Sequence, residues 1–296
     1  MTETAPKTGA HEPVGVDNTR ASISRVYDAT LGGKDNYDAD RAVRNSISEI
    51  APRWRNTLIA GRRFQERALR YLAENAGIDQ FLDIGAGLPT YPTGRATHEI
   101  VNPEHATRHT WDQIPVVYVD NDPVCVAHGM AYWDNDTTRY LRGNLLEPFE
   151  LLNNPQLRAR IYLSRPVGVL ICGLLHHIPD DLNPAETMQR LIDLLPDGSH
   201  VMITHYWAPD DDPETRDVAI EIQQRHLDGL GTGWFRSRDE IAIYLPGLEL
   251  LAPGLVEPDD WWPAGPQLHG RMPEERLMLV GVGYKRHRKA TQLRSG

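Results

Sequence analysis

The chain has 296 residues, of which 40% are hydrophobic and 24% charged, and its formal net charge is −10 at pH 7. These values are ordinary for a globular protein that can bury a core of useful size. An acidic chain has no overall positive field to attract nucleic acid, and no stretch approaches the roughly 18 apolar residues of a membrane span. We therefore expect neither a nucleic-acid partner nor a membrane partner.

The two cysteines, Cys125 and Cys172, form no CxxC pair. This usage argues against a disulfide framework or a structural zinc site, and it fits reduced thiols in the cytoplasm. The first sixteen residues contain no apolar segment of the kind found in secretory signals. The expected organisation is a disordered tail at 1–16, one domain at 17–286 with a helical N-terminal cap (17–76) and a Rossmann-like core (77–286), and a second tail at 287–296.

The hydrophobic pattern predicts helices first and then an alternation of strands and helices. Helices are predicted near 20–30 and 37–50, from Trp54 to Asn75, and at 123–133, 183–195 and 214–228. The predicted strands are Gln80–Ile84, Pro115–Val119, Thr138–Arg142, Pro166–Cys172, Ser199–His205, Leu248–Leu251 and Arg276–Tyr284. Because Glu257–His269 is a short joint without a crossover helix, the last strand is expected to be antiparallel. The predicted fold class is α/β, a seven-stranded, mostly parallel sheet with its last strand reversed.

The segment FLDIGAGLPT, 81–90, gives the strongest local signal. A strand carries Asp83 and is followed by Gly85-Ala86-Gly87, where glycine lets the backbone approach a ligand. A dinucleotide-binding turn would have its third glycine at Thr90. A carboxylate at Asp83 would also repel a diphosphate, whereas it can receive the ammonium group of a methionine moiety.

The segment VVYVDNDP, 116–123, places Asp120 at the end of the next strand. An acid at this point can accept hydrogen bonds from both ribose hydroxyls. Capping of the following helix is the alternative role, and it suits Asp122 better because Pro123 follows it. Asn121 and Asp122 complete the cofactor-binding prediction here.

Two later segments supply further candidates at strand ends. Asn144 in RGNLLEP could meet an adenine edge together with Leu145, although a turn asparagine is equally plausible. In ICGLLHHIPDD the chain leaves a buried strand through Gly173 and presents His176 and His177 as candidate general bases. Packing or solvated histidines are the alternative, and adjacent histidines lack metal-ligand spacing.

Other polar and aromatic residues are predicted to lie on the acceptor side or in a lid. The string LGGKDN interrupts a helical pattern, so residues 20–45 are predicted to fold over the site as a lid, or else to form a helix–turn–helix packed on the sheet edge. The acidic run 210–212 is expected to cap a helix rather than hold Mg²⁺. The candidate lid and substrate residues are Arg25, Tyr27, Tyr37, His205, Tyr206 and Trp207.

With these segments, the chain resembles the S-adenosyl methyltransferase family once catalogued as DUF574. The stretches at 24–41 and 237–263 carry the resemblance outside the sheet motifs, and it covers about residues 16–286. It implies a class I methyltransferase fold that binds S-adenosylmethionine and yields S-adenosylhomocysteine. Carried over by motif, the glycine-loop residues are Asp83, Gly85 and Gly87, the ribose residue is Asp120 and the adenine-side residue is Asn144.

The resulting prediction is a cytoplasmic methyltransferase that acts on a small molecule, with no metal. A protein that binds S-adenosylmethionine without transferring its methyl group is one alternative. A nicotinamide-dependent oxidoreductase is the other, which Thr90 and the carboxylate at Asp83 disfavour. The identity of the acceptor and the oligomeric state do not follow from the sequence.

Overall fold

A computed structural model describes residues 17–89, 94–103, 113–266 and 269–286. Both predicted tails, 1–16 and 287–296, and the position of Thr90 lie outside these ranges. The described part contains a seven-stranded sheet with helices on both faces. Its strands are β1 Phe81–Ile84, β2 Val116–Asp120, β3 Thr138–Arg142, β4 Gly168–Cys172, β5 His200–Tyr206, β6 Glu249–Leu250 and β7 Met278–Tyr284.

The described helices are α1 Ile23–Leu31, α2 Asp38–Ile50, α3 Trp54–Glu74, α4 Thr97–Val101, α5 Pro123–Trp133, α6 Pro148–Leu152, α7 Pro155–Arg158, α8 Pro184–Leu194, α9 Pro213–Leu230 and α10 Arg238–Ala242. The six predicted helices are present as α1, α2, α3, α5, α8 and α9, whereas the short helices α4, α6, α7 and α10 were not predicted. Asp122 and Asp212 each cap a helix that begins with proline, where the missing N–H is not needed.

The strand order is β3-β2-β1-β4-β5-β7-β6. The pairs from β3 to β5 are parallel, whereas β7 runs antiparallel to both β5 and β6. This confirms the predicted reversal of the last strand, and β6 is two residues long where four were predicted. Because the order reverses direction at β1 and β4, a crevice opens at their carboxyl ends, where open α/β sheets bind ligands.

Two hydrophobic clusters sandwich the sheet. One contains Phe64 and Leu69 of α3 together with Ile47 of α2, and the other contains Met188 and Leu191 of α8. Because helices cover both faces of the sheet, β4 and β5 are buried along nearly their whole length. This burial explains their apolar sequences. No helix in the described ranges is long and apolar enough to cross a bilayer.

Candidate active site

A cavity of about 380 Å³ lies at the carboxyl ends of β1, β2, β4 and β5, beneath α1 and α3. Its volume is within the roughly 300–1,000 Å³ range of small-molecule sites. Neighbouring strands are about 4.8 Å apart, so a cavity that crosses four strand ends can hold an elongated ligand. The predicted residues that line it are Tyr27, Asp83, Gly85, Ala86, Gly87, Asp120, Asn121, Asp122, Gly173, His176, His177 and Tyr206.

Asp83 lies at the β1 end of the cavity and is almost fully buried. Its Oδ2 accepts a hydrogen bond of 2.7 Å from Oγ1 of Thr97. Burial raises the pKa of Asp83 to about 6, although the Thr97 hydrogen bond and the charge of Arg62 act in the opposite direction. A buried carboxylate with this pKa gains from a cationic partner, which would favour its ionised form.

Asp120 lies at the β2 end, and both of its carboxylate oxygens bind backbone N–H groups. Oδ2 accepts from Gly87 at 2.8 Å and Oδ1 from Asp122 at 2.9 Å. Burial raises the pKa of Asp120, and these backbone hydrogen bonds oppose the rise. A carboxylate offers about four lone-pair sites, so Asp120 can still accept from ligand hydroxyls.

The turn that follows β1 requires glycine because of its backbone conformation. Gly85 and Gly87 have φ values of 75° and 70°. A Cβ on Gly85 would lie 2.8 Å from a side-chain carbon of Leu174, in the loop after β4. This contact shows that the glycine turn lies directly beside the β4 loop, so the two halves of the cavity are continuous.

Arg62 is a cavity residue that the sequence reasoning missed. The α3 residues that line the cavity include Leu58, Gly61, Arg62 and Gln65, which have i, i+3, i+4 and i+7 spacing. Arg62 lies close enough to Asp83 and Tyr27 for its charge to oppose the rise that burial causes in the pKa of each. A polar residue within that helical stripe was the available signal.

The N-terminal segment lies over the cavity as a roof, on the side where the lid prediction placed it, and of the three predicted lid residues only Tyr27 lines the cavity. Ser22, Ile23 and Ser24 line the cavity along with Tyr27. The roof is held by Asp40, whose buried carboxylate accepts from the backbone N–H of Ser22 at 2.9 Å and from that of Tyr37 at 2.8 Å.

Arg25 and Tyr37, predicted to line the site, belong to this support instead. Nε of Arg25 donates to Oδ2 of Asp40 at 2.8 Å, and the guanidinium lies over the Tyr37 ring at 5.4 Å. The helical face explains the difference, because Ser24 and Tyr27 share one side of α1 while Arg25 points toward α2.

The LGGKDN string has a packing explanation. The buried carboxylate of Asp28 accepts from the backbone of Asp35 at 2.9 Å and from the amide of Asn36 at 2.8 Å. A Cβ on Gly33 would lie 1.7 Å from Oδ1 of Asp28, so that position excludes any side chain. The string therefore closes the α1–α2 turn and contributes to the site only by fixing the roof.

The other half of the cavity, at the ends of β4 and β5, is lined by His176, His177 and Tyr206. The His176 ring stacks on Tyr206 with centroids 3.6 Å apart, and its Nδ1 faces the backbone N–H of Tyr206 at 3.4 Å. Burial lowers the pKa of His176 well below its usual value and that of His177 to about 3. Both imidazoles are therefore neutral at neutral pH.

His205 and Trp207 do not line the cavity, contrary to prediction. Successive side chains of a strand face opposite sides of the sheet, so only every second residue of β5 can face this site. Thr204 and Tyr206 are the β5 residues that face the cavity. His205 instead lies 3.0 Å from Arg236 through Nε2, and Trp207 packs beneath Arg238 in the opposite cluster.

Asn144 and Leu145 also lie away from the cavity wall that the structure describes. Oδ1 of Asn144 accepts from the backbone N–H of Leu146 at 3.1 Å, which is the turn role left open above. Leu145 is buried in the cluster beneath β4. At the end of β2, Asn121 and Asp122 line the cavity in their place.

In the described ranges, no group of three His, Cys, Asp or Glu side chains is arranged to hold a metal ion. Asp212 caps α9 through Thr215 and pairs with Arg276 at 2.5 Å, which accounts for the end of the acidic run.

Comparison with known proteins shows the family of the chain. The sequence matches the S-adenosyl methyltransferase family over residues 9–286. This chain belongs to that family. Among solved structures, a Thermobifida fusca YX protein named as a candidate methyltransferase is 33% identical with a TM-score of 0.83, and the match covers 94% of this chain and 100% of that one.

A DUF574 family protein from Streptomyces avermitilis MA-4680 is 30% identical with a TM-score of 0.78. The match covers 91% of this chain and 99% of that one. A search of curated proteins gives no significant match. Family membership thus establishes S-adenosylmethionine dependence and the class I methyltransferase fold, and it names no acceptor.

The residues present fit this cofactor. Asp83 can accept from the ammonium group and Asp120 from the ribose hydroxyls, and both carboxylates line the same cavity. Gly173 has a φ of 76°, and no atom lies within 4 Å of the position that a Cβ would take. Its backbone is therefore open to a ligand, as the glycine turn motif requires.

Proposed function

We propose that this chain transfers a methyl group from S-adenosylmethionine to a small-molecule acceptor that enters the same cavity. The observation that carries the proposal is that Asp83 and Asp120 line one covered cavity on either side of a glycine turn. When bound, S-adenosylmethionine supplies a methyl group activated by positively charged sulfur. The protein has to align the acceptor with that methyl group and exclude water.

Each end of the cofactor has a proposed partner in the cavity. Asp83 holds the ammonium group and Arg62 the carboxylate, since these two side chains lie close together with opposite charges. Asp120 holds the ribose hydroxyls, and Asn121 and Asp122 border the adenine. This assignment replaces Asn144 with residues at the end of β2.

A small acceptor fits the way the cavity is covered. Residues of α1 and α3 roof it, and the buried Arg25–Asp40 pair fixes the roof in place. A macromolecular acceptor would need an open approach to the strand ends. The acidic chain also gives no field that would attract a polyanion.

Incubation of the protein with methyl-labelled S-adenosylmethionine and a small-molecule cell extract tests the proposal. We expect label to leave the cofactor and appear in another compound. Asp120→Asn should lower the rate, while Asp181→Asn, at an exposed position outside the cavity, should not. Label that stays on the cofactor, although S-adenosylhomocysteine binds, would favour a binding protein without methyl transfer.

A further inference from the structure

The β4–β5 half of the cavity contains polar side-chain atoms that make no hydrogen bond to the described residues. Nδ1 of His177 lies 2.8 Å from Oγ1 of Thr232, and this is the one hydrogen bond that the His177 ring makes to the described residues. Tyr206 also lines this half of the cavity, and its Oη makes no hydrogen bond to the described residues. Polar atoms that line a covered cavity without partners are positioned to bind a ligand.

The turn that carries His177 is held in place by a buried cation. Arg236 donates to the carbonyl oxygens of Leu175 at 3.2 Å and Ile178 at 2.8 Å. The backbone N–H of Trp234 binds the carbonyl oxygen of His176 at 2.8 Å, so the loop that carries Thr232 is attached to the same turn. The His177–Thr232 pair is therefore fixed by contacts on both sides.

The charge of this half disfavours a cationic acceptor. Its lining combines neutral His177 and Tyr206 with apolar Leu58, Leu230 and Met278. The cavity-lining Asp83, Asp120 and Asp122 lie at the other end, and Glu66 pairs with Arg70 on α3. An ammonium group would thus lose hydration near Arg236 without gaining a carboxylate.

We propose that the acceptor is an uncharged hydroxyl compound, an alcohol or phenol with an apolar body, whose hydroxyl donates to Nε2 of His177. Thr232 is the positioning residue, because its hydroxyl accepts from Nδ1–H and so leaves Nε2 unprotonated. This inference rests on the proposed methyl transfer. His176 is not the proton acceptor, since its Nδ1 faces the N–H of Tyr206 and its ring stacks on Tyr206.

The proposed step balances without another reactant. The acceptor oxygen forms a bond to the methyl carbon as the sulfur–carbon bond breaks, and that electron pair stays on sulfur to give the neutral thioether. The hydroxyl proton moves to Nε2 of His177 and then to water when the product leaves. An oxygen that gains a methyl group becomes strongly acidic, so an imidazole with a pKa of about 3 can accept the proton late in the reaction.

The test locates the label transferred from methyl-labelled S-adenosylmethionine in the products of the cell extract. Mass spectrometry that finds the methyl group on a hydroxyl oxygen supports the inference. A methyl group on nitrogen, sulfur or a carboxylate overturns it and leaves the proposed methyl transfer standing. Label in no product, with S-adenosylhomocysteine binding intact, overturns both.

Variants of the pair then test the role of Thr232. Thr232→Val should lower kcat about tenfold, as expected for one lost hydrogen bond, with unchanged affinity for S-adenosylhomocysteine. Thr232→Ser keeps the hydroxyl and should restore most of the rate. His177→Ala should lower kcat about a hundredfold. An unchanged kcat in Thr232→Val would contradict the positioning role, and a rate loss explained by lower cofactor affinity would also contradict it.

Discussion

The two halves of the cavity differ in how they are built. The β1–β2 half consists of short local motifs that place Asp83, Gly87 and Asp120 at adjacent strand ends. The β4–β5 half is assembled from separate segments, because His177 depends on Thr232 and Arg236 from a loop more than fifty residues away. Local sequence thus reveals the cofactor side, whereas the acceptor side becomes visible only after folding.

The largest predicted effect is on stability, and it comes from a substitution in the roof of the cavity. Asp40→Ala removes one partner of a buried ion pair and should lower the free energy of unfolding by about 3–5 kcal/mol. Urea denaturation measures this change. Asp38→Ala, at an exposed pair on the same helix, is the matched control and should have no measurable effect. Equal losses in the two variants would show that the roof does not depend on Asp40.

Arg62 tests whether the β1–β2 half is complete without residues from α3. Arg62→Met should weaken S-adenosylhomocysteine binding about tenfold, because a charge-assisted hydrogen bond to the carboxylate is lost. Calorimetry with 5′-methylthioadenosine, which has no amino acid group, should show no change. A similar loss for both ligands would indicate that Arg62 acts on the fold of the site and not on the carboxylate.

A smaller effect is expected on the pH dependence of S-adenosylhomocysteine binding. Since burial raises the pKa of Asp83 to about 6, its carboxylate becomes protonated below that pH and loses the cationic ligand. The apparent Kd for S-adenosylhomocysteine should therefore rise as pH falls through about 6, approaching tenfold per unit for one proton. Asp83→Asn should flatten this dependence, and a profile that keeps its slope would contradict the assignment.

Much of the fold could be predicted because its signals are local. The strand Thr138–Arg142 and the helix Pro123–Trp133 were predicted with the bounds that the structure has. The glycine turn and the strand-end acids follow the same logic, since sequence neighbours there are also neighbours in space. The reversed last strand followed from the length of one joint.

The incorrect placements share a physical cause. His205 and Trp207 were grouped with Tyr206, although alternation along β5 directs only Tyr206 into the cavity. Arg25 was assigned to the site although its partner, Asp40, lies on another helix. The alternation of side chains along β5 could have predicted which of its residues face the cavity. Partners such as Asp40 and Thr232 could not be predicted in this way, because they depend on tertiary contacts that periodicity does not encode.

Calorimetry of Asp83→Asn and Asp120→Asn with two ligands tests the central claim most directly. We expect Asp120→Asn to weaken both S-adenosylhomocysteine and 5′-methylthioadenosine, because both have the ribose. Asp83→Asn should weaken only S-adenosylhomocysteine, by about tenfold or more, because only that ligand has the ammonium group. Equal effects of the two variants on both ligands, or none, would contradict a cavity that holds the cofactor at opposite ends.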